Sequence, residues 1–361
     1  DRNFKSTTRD VKRLLTSLIA ENVEGVVIDL RDNGGGSLQE AKMLTGLFID
    51  RGPTVQIRSK NNRVDILDDR DISIIYDGPL AILVNRLSAS ASEIVAGAIQ
   101  DYQRGIIIGN QTFGKGTVQS LLPLNLGQLK LTQAKFYRIS GESTQERGII
   151  PDITYPANYD PDSIGESTLE KPLPWDKIIA ARFRPKNAVS QHIPALQALH
   201  ENRISNNPEF IYLKDAIAYR RAQSEEIYIS LNEATRREEI EDRESFWLAL
   251  ENEKRLALGE EALVSLDDLE TKEPALAVVN QIQSEGAAIL PEQTNDKTQT
   301  EPVAGTEIAS GGNSVPRADE LEDIEKIQEP DPYLVESAHI LLDLISLKER
   351  SALEGFRAQG T

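Results

Sequence analysis

Apolar residues recur along this chain with two periods, and the changes from one to the other divide it. In 7–22, Val11, Leu14, Leu15, Leu18 and Ile19 return at helical spacing behind Ser6 or Thr7 as an N-cap, which predicts an amphipathic helix. Val26, Val27, Ile28 and Leu30 then form a short apolar run suited to a buried strand, and Gly34, Gly35 and Gly36 end it. Ser37 and Glu40 stand at capping-box spacing and open a second helix through Ile49. Strands are predicted at 54–59, 80–84 and 105–109, with 63–71 in a polar hairpin, a helix over 91–102 and further strands within 117–140. Such strand–helix alternation predicts an α/β core with a mixed, largely parallel sheet.

After Tyr155 the pattern changes. Pro156, Pro161, Pro172 and Pro174 mark an irregular connector ending at Trp175, and from about 188 to 258 the spacing is helical. The predicted organisation is a core over 1–155, a connector over 156–187 and a mostly α-helical C-terminal domain over 188–361. Within that domain 281–319, rich in Gly, Ser, Thr, Pro, Asn and Gln, is expected to be a disordered insertion. Pro330 and Pro332 precede a last amphipathic helix over 335–347.

Composition narrows the chemistry. The 361 residues include no cysteine, so disulfides and thiolate metal sites are excluded. No apolar run approaches the ~20 residues of a membrane span. The chain opens on Asp1 rather than Met and reads as the later part of a longer protein. Residues 1–155 carry a net charge of +1 and the remainder −19, which argues against nucleic acid as a main partner.

Two segments carry candidate chemistry. Ser90, in Ser88-Ala89-Ser90-Ala91-Ser92-Glu93, falls where a strand gives way to a helix, so the Ala91 amide is a free helix donor facing a developing oxyanion. Lys115, in Phe113-Gly114-Lys115-Gly116-Thr117, sits in a glycine-flanked loop. A lysine titrates near ~10.4 when free, and acting as a base near neutrality needs a fall of roughly 3 units, about 4 kcal/mol against the ammonium form. The histidines, His192, His200 and His339, all lie far downstream, which makes lysine the more economical base for a serine nucleophile. Gly36, in the triglycine turn, offers a second backbone donor to pair with Ala91. Plainer readings stand beside each: an ordinary Ser/Ala helix start, a solvated loop lysine, a tight strand–helix turn. Gly109 to Lys115 also fits the G-x-x-x-x-G-K phosphate loop, but Gly116 replaces the magnesium-binding Ser/Thr and the following residues are β-branched rather than helix-forming.

Taken in order, Val27-Ile28-Asp29-Leu30-Arg31-Asp32-Asn33-Gly34-Gly35-Gly36, the serine cluster 88–93, Thr112-Phe113-Gly114-Lys115-Gly116-Thr117-Val118-Gln119 and Gly148-Ile149-Ile150-Pro151-Asp152 resemble the C-terminal processing peptidases. Leu173-Pro174-Trp175-Asp176 and Glu329-Pro330-Asp331-Pro332-Tyr333-Leu334 resemble the helical C-terminal domain of their bacterial tail-specific subgroup. The resemblance implies a serine endopeptidase with Ser90 as nucleophile, Lys115 as general base, Gln119 orienting the lysine, Gly36 and Ala91 as oxyanion donors, and Glu93 and Asp101 as supporting acids. It further implies unfolded or apolar-tailed protein substrates and no metal or organic cofactor. The implied setting is periplasmic and peripheral to the inner membrane, with a lipoprotein adaptor as partner and a PDZ module and N-terminal helical domain upstream. A nucleotide-binding protein and a non-catalytic peptide-binding fragment are the alternatives.

Overall fold

Every residue of the strand Leu80–Val84 is buried, with Leu80, Ile82 and Val84 in one core and Ala81 and Leu83 in another. A strand that is apolar on both faces needs cover on both, and that requirement sets the layers. In the computed structural model, which describes residues 5–185, 189–270 and 331–359, the strands β1 (Val26–Asp29), β2 (Gly52–Ser59), β3 (Val64–Asp69), β4 (Leu80–Val84), β5 (Ile106–Gly109), β6 (Thr117–Pro123), β7 (Gln128–Tyr137) and β8 (Ile153–Thr154) form two sheets. One has the order β1-β4-β5-β8 and all its pairs are parallel.

The helices are α1 (Thr7–Ala20), α2 (Leu38–Gly46), α3 (Ala91–Asp101), α4 (Ile193–Ile204), α5 (Pro208–Glu225), α6 (Glu233–Leu258), α7 (Asp267–Glu270) and α8 (Pro332–Gln359). One face of the parallel sheet packs on Leu15 of α1, Leu44 of α2 and Ile94, Val95 and Ile99 of α3. The other packs on Leu196 of α4, Phe210 of α5 and Tyr333, Ile340 and Leu344 of α8. Burying each such side chain stabilises the fold by roughly 1.5–3 kcal/mol.

The second sheet is antiparallel, in the order β3-β2-β7-β6. The parallel and antiparallel pairings therefore fall in separate sheets. β6 is an outer strand, with a bulge between Val118 and Gln119. The segment after the parallel sheet folds back on this antiparallel one: Asp176 takes Arg58, Lys135 and the Tyr137 hydroxyl, and the Trp175 indole N–H donates to the Ser143 carbonyl.

Compactness follows a different line from the sequence divisions at 156 and 188. Among the described residues, those of 5–227 and 331–359 form one unit and 228–270 a second, because α4, α5 and α8 cover the second face of β4 and β5. In the second unit, Asn232 caps α6, Gly259 ends it in the left-handed region, and Asn252 brackets the Leu263 main chain. The expected insertion 281–319 lies outside the described residues.

Candidate active site

β4 ends at Val84, and the chain turns through 85–89 into α3 with Ser90 as the N-cap residue. Ser90 has φ 57° and ψ −110°, a conformation that costs a non-glycine residue of order 1–3 kcal/mol. Its neighbours enforce it: the Ser90 N–H donates to Glu93 Oε2 at 2.7 Å, and the Ala89 N–H to the Asn33 carbonyl at 3.0 Å. A strained serine between strand and helix is the device that pushes a hydroxyl out of the backbone in the nucleophile elbow. The rival serines are committed to other bonds. Ser88 Oγ donates to the Leu30 carbonyl at 2.7 Å, and Ser92 Oγ to Asn33 Oδ1 at 2.8 Å.

The triglycine turn lies against this elbow. A Cβ on Gly35, whose φ is 95°, would stand 2.7 Å from the Ala91 nitrogen and 2.9 Å from Ser90 Cβ. Only glycine admits that approach. The Gly35 N–H donates to Asn33 Oδ1, whereas the Gly36 and Ala91 N–H groups have no acceptor among the described residues.

Glu93 joins the two catalytic candidates. Its carboxyl is wholly buried and accepts four hydrogen bonds, from Ser90 N–H, Thr112 Oγ1–H at 2.6 Å, Gly114 N–H at 2.7 Å and Lys115 N–H at 3.0 Å. Ser90 and Lys115 share one oxygen, Oε2, which holds their main-chain nitrogens within about 6 Å of each other. The Lys115 side chain is half-buried and enters no ion pair among the described residues. The loop that carries it leads into β6 rather than a helix, and its amides point at protein acceptors. A phosphate-binding loop needs both features reversed.

Two other expected residues stand apart. Gln119 is exposed on β6 beyond the bulge, with Nε2 3.5 Å from Thr132 Oγ1 and no hydrogen bond to Lys115. Asp101 ends α3, roughly 15 Å along the helix from Ala91 at 1.5 Å per residue. There it pairs with Arg138 and accepts from the Ser140 N–H. Asn33, Gln145, Glu166 and Arg86 were not legible as site residues. Asn33, inside the triglycine motif, accepts from the Ala89 N–H; Gln145 accepts from the Gly116 N–H, the Glu166 N–H donates to the Phe113 carbonyl and Arg86 donates to the Thr112 carbonyl, contacts distant in sequence that leave no local signal.

Residues 2–155 match the profile of peptidase family S41, and residues 159–346 match that of the C-terminal domain of tail specific protease. The chain belongs to peptidase family S41. It is 41% identical over 274 residues to the tail-specific protease of Haemophilus influenzae, covering 73% of this chain and 39% of that protein. It is 42% identical over 155 residues to the carboxy-terminal-processing protease of Bartonella bacilliformis, covering 42% of this chain and 36% of that one. Among solved structures, the photosystem II D1 C-terminal processing protease is 35% identical, with a TM-score of 0.39 over 44% of this chain and 40% of that one. The chain thus spans about two-fifths of the length of these curated S41 relatives. Among the described residues no group of three or more His, Cys, Asp or Glu could hold a metal ion, and no helix is long and apolar enough to cross a membrane.

Burial pushes the Glu93 carboxyl up to about 7, against the pull of its four donors. The unfolded chain, titrating near 4.5, binds fewer protons than the folded one between these values. Stability from this group is therefore full below 4.5 and is lost as pH rises through 7, a change of roughly 3 kcal/mol. Urea unfolding of the full-length protein and of Glu93→Gln, followed from pH 5 to 8, should show the parent losing that amount relative to the variant. Parallel curves would contradict the assignment.

Proposed function

We propose that this chain is the catalytic part of a serine endopeptidase with a Ser90/Lys115 dyad. The neutral Lys115 amine takes the Ser90 hydroxyl proton as Oγ attacks a peptide carbonyl, and the Gly36 and Ala91 N–H groups receive the oxyanion. The resulting ammonium protonates the leaving amine, and water, deprotonated by the same amine, then hydrolyses the ester to free the acid and restore Ser90. No metal or organic cofactor enters this chemistry. The observation that carries the reading is the single buried carboxylate, Glu93, which ties the main chains of both residues. Gln119 orients the lysine in this scheme by giving up its 3.5 Å contact with Thr132.

Substrate binds extended and adds to a sheet edge. β6 offers one: it is an outer strand and begins at Thr117, two residues after Lys115. The names of the S41 relatives support substrates cut from or near their C-termini, and we assign unfolded proteins with apolar tails, in the periplasm and with a lipoprotein adaptor. The full-length protein should cleave an unfolded reporter with an apolar C-terminal tail at least about tenfold faster than one with a polar tail, since a few buried apolar side chains supply that discrimination. Equal rates would remove tail recognition from the proposal.

A further inference from the structure

A loop that presents a catalytic base must hold its main chain still, and the bonds of 112–116 can be followed one by one. The N–H groups of Thr112 and Phe113 donate to the carbonyls of Ile149 and Ser88, and those of Gly114 and Lys115 to Glu93. The fifth, on Gly116, donates to Gln145 Oε1 at 2.9 Å.

Gln145 is fully buried, and its amide is oriented by the next residue in the chain of contacts. Gln145 Nε2 donates to Glu166 Oε1 at 3.0 Å. A carboxylate only accepts, so the amide oxygen must face Gly116. Glu166 also reaches the loop directly, its N–H donating to the Phe113 carbonyl at 3.0 Å. One residue therefore grips the base loop on both sides of Lys115, at 113 through its backbone and at 116 through Gln145. Glu166 opens a short turn, Glu166–Thr168, that Arg86 fastens down. The buried Arg86 guanidinium donates to the carbonyls of Ile164 and Thr112 at 2.6 Å each and of Pro161 at 3.0 Å. A Cβ on Gly165 would lie 2.2 Å from Arg86 Nη2, so the segment packs directly on that group.

We propose that Gln145 and Glu166 are positioning residues for Lys115, and that Arg86 docks the segment 160–168 as a working part of the active site. The inference rests on Lys115 being the general base. A displacement of about 1 Å in a catalytic group can cost 10²-fold, which sets the scale expected when this grip is released.

The test compares Glu166→Ala, Glu166→Gln and Lys115→Ala with the parent in the full-length protein. Glu166→Ala should lower kcat by roughly 30-fold with KM within twofold. Amide hydrogen exchange of the peptide spanning 112–116 should accelerate at unchanged protection of β4 and β5. Glu166→Gln, whose side-chain oxygen accepts the same bond, should recover most of the rate and the protection. Unchanged kcat or unchanged exchange in Glu166→Ala, or failure of Glu166→Gln to recover either, would overturn the proposal. Full activity in Lys115→Ala would instead remove the dyad, a result read separately from the exchange of the loop.

Discussion

Ser90→Ala and Lys115→Ala, made in the full-length protein, should each lose proteolysis by about 10³-fold or more while keeping the parent's fold. The serine variant lacks the oxygen that forms the ester. The lysine variant keeps the hydroxyl but loses the amine that takes its proton; the other side chains gripping the loop are Glu93, Gln145, Glu166 and Arg86, and Glu166 is engaged by the Gln145 amide. Glu93 is no substitute base: its two oxygens are occupied by four donors. Neither substitution removes the main-chain bonds to Glu93 that fix both residues. Loss should therefore appear in kcat with melting behaviour little changed. Paired losses that are not additive in the double variant would mark the two side chains as one catalytic unit.

The second large effect belongs to Glu93. Glu93→Ala leaves Ser90 N–H, Thr112 Oγ1, Gly114 N–H and Lys115 N–H without their acceptor in a buried site. Orphaned buried donors cost ~1–3 kcal/mol each, and partial relaxation leaves an expected loss of about 4 kcal/mol, a large share of the 5–15 kcal/mol that holds a typical domain. Activity should fall about 100-fold further than the unfolded fraction explains, because the strained Ser90 and the Lys115 loop are no longer tied to one point. Glu93→Gln, which keeps one accepting oxygen, should lie between. Denaturant unfolding and rate measurements below the transition check both; a Glu93→Ala variant of parental stability would contradict the hub.

Much of this was readable in the sequence, for identifiable reasons. The helix around Val11, Leu15 and Leu18 and the buried strand Leu80–Val84 announced themselves by period, and Ser37 and Glu40 by capping distance. The serine and lysine motifs pointed to two segments, and the structure joins their main chains through Glu93. Glu93 looked like a supporting acid because sequence does not show that its carboxyl is wholly buried with four donors converging on it. The left-handed φ of Ser90 left only one trace, the small alanines on either side. Glu166 and Gln145 carry no local signature, since their bonds to Phe113 and Gly116 are made across the fold. The proline-rich stretch after Tyr155 reads as a connector, yet its Asp176 and Glu166 grip the antiparallel sheet and the base loop, a property of topology rather than composition.

The sharpest measurement replaces the amine itself. The chain holds no cysteine, so the thiol of Lys115→Cys is unique within it and can be alkylated with 2-bromoethylamine to rebuild a lysine-like, less basic side chain. An amine that works unprotonated should restore cleavage to the inactive thiol variant and move the acid limb of its kcat profile to lower pH. Activity that the alkylation does not restore, or an acid limb that stays where the parent's lies, would contradict a neutral Lys115 acting on Ser90.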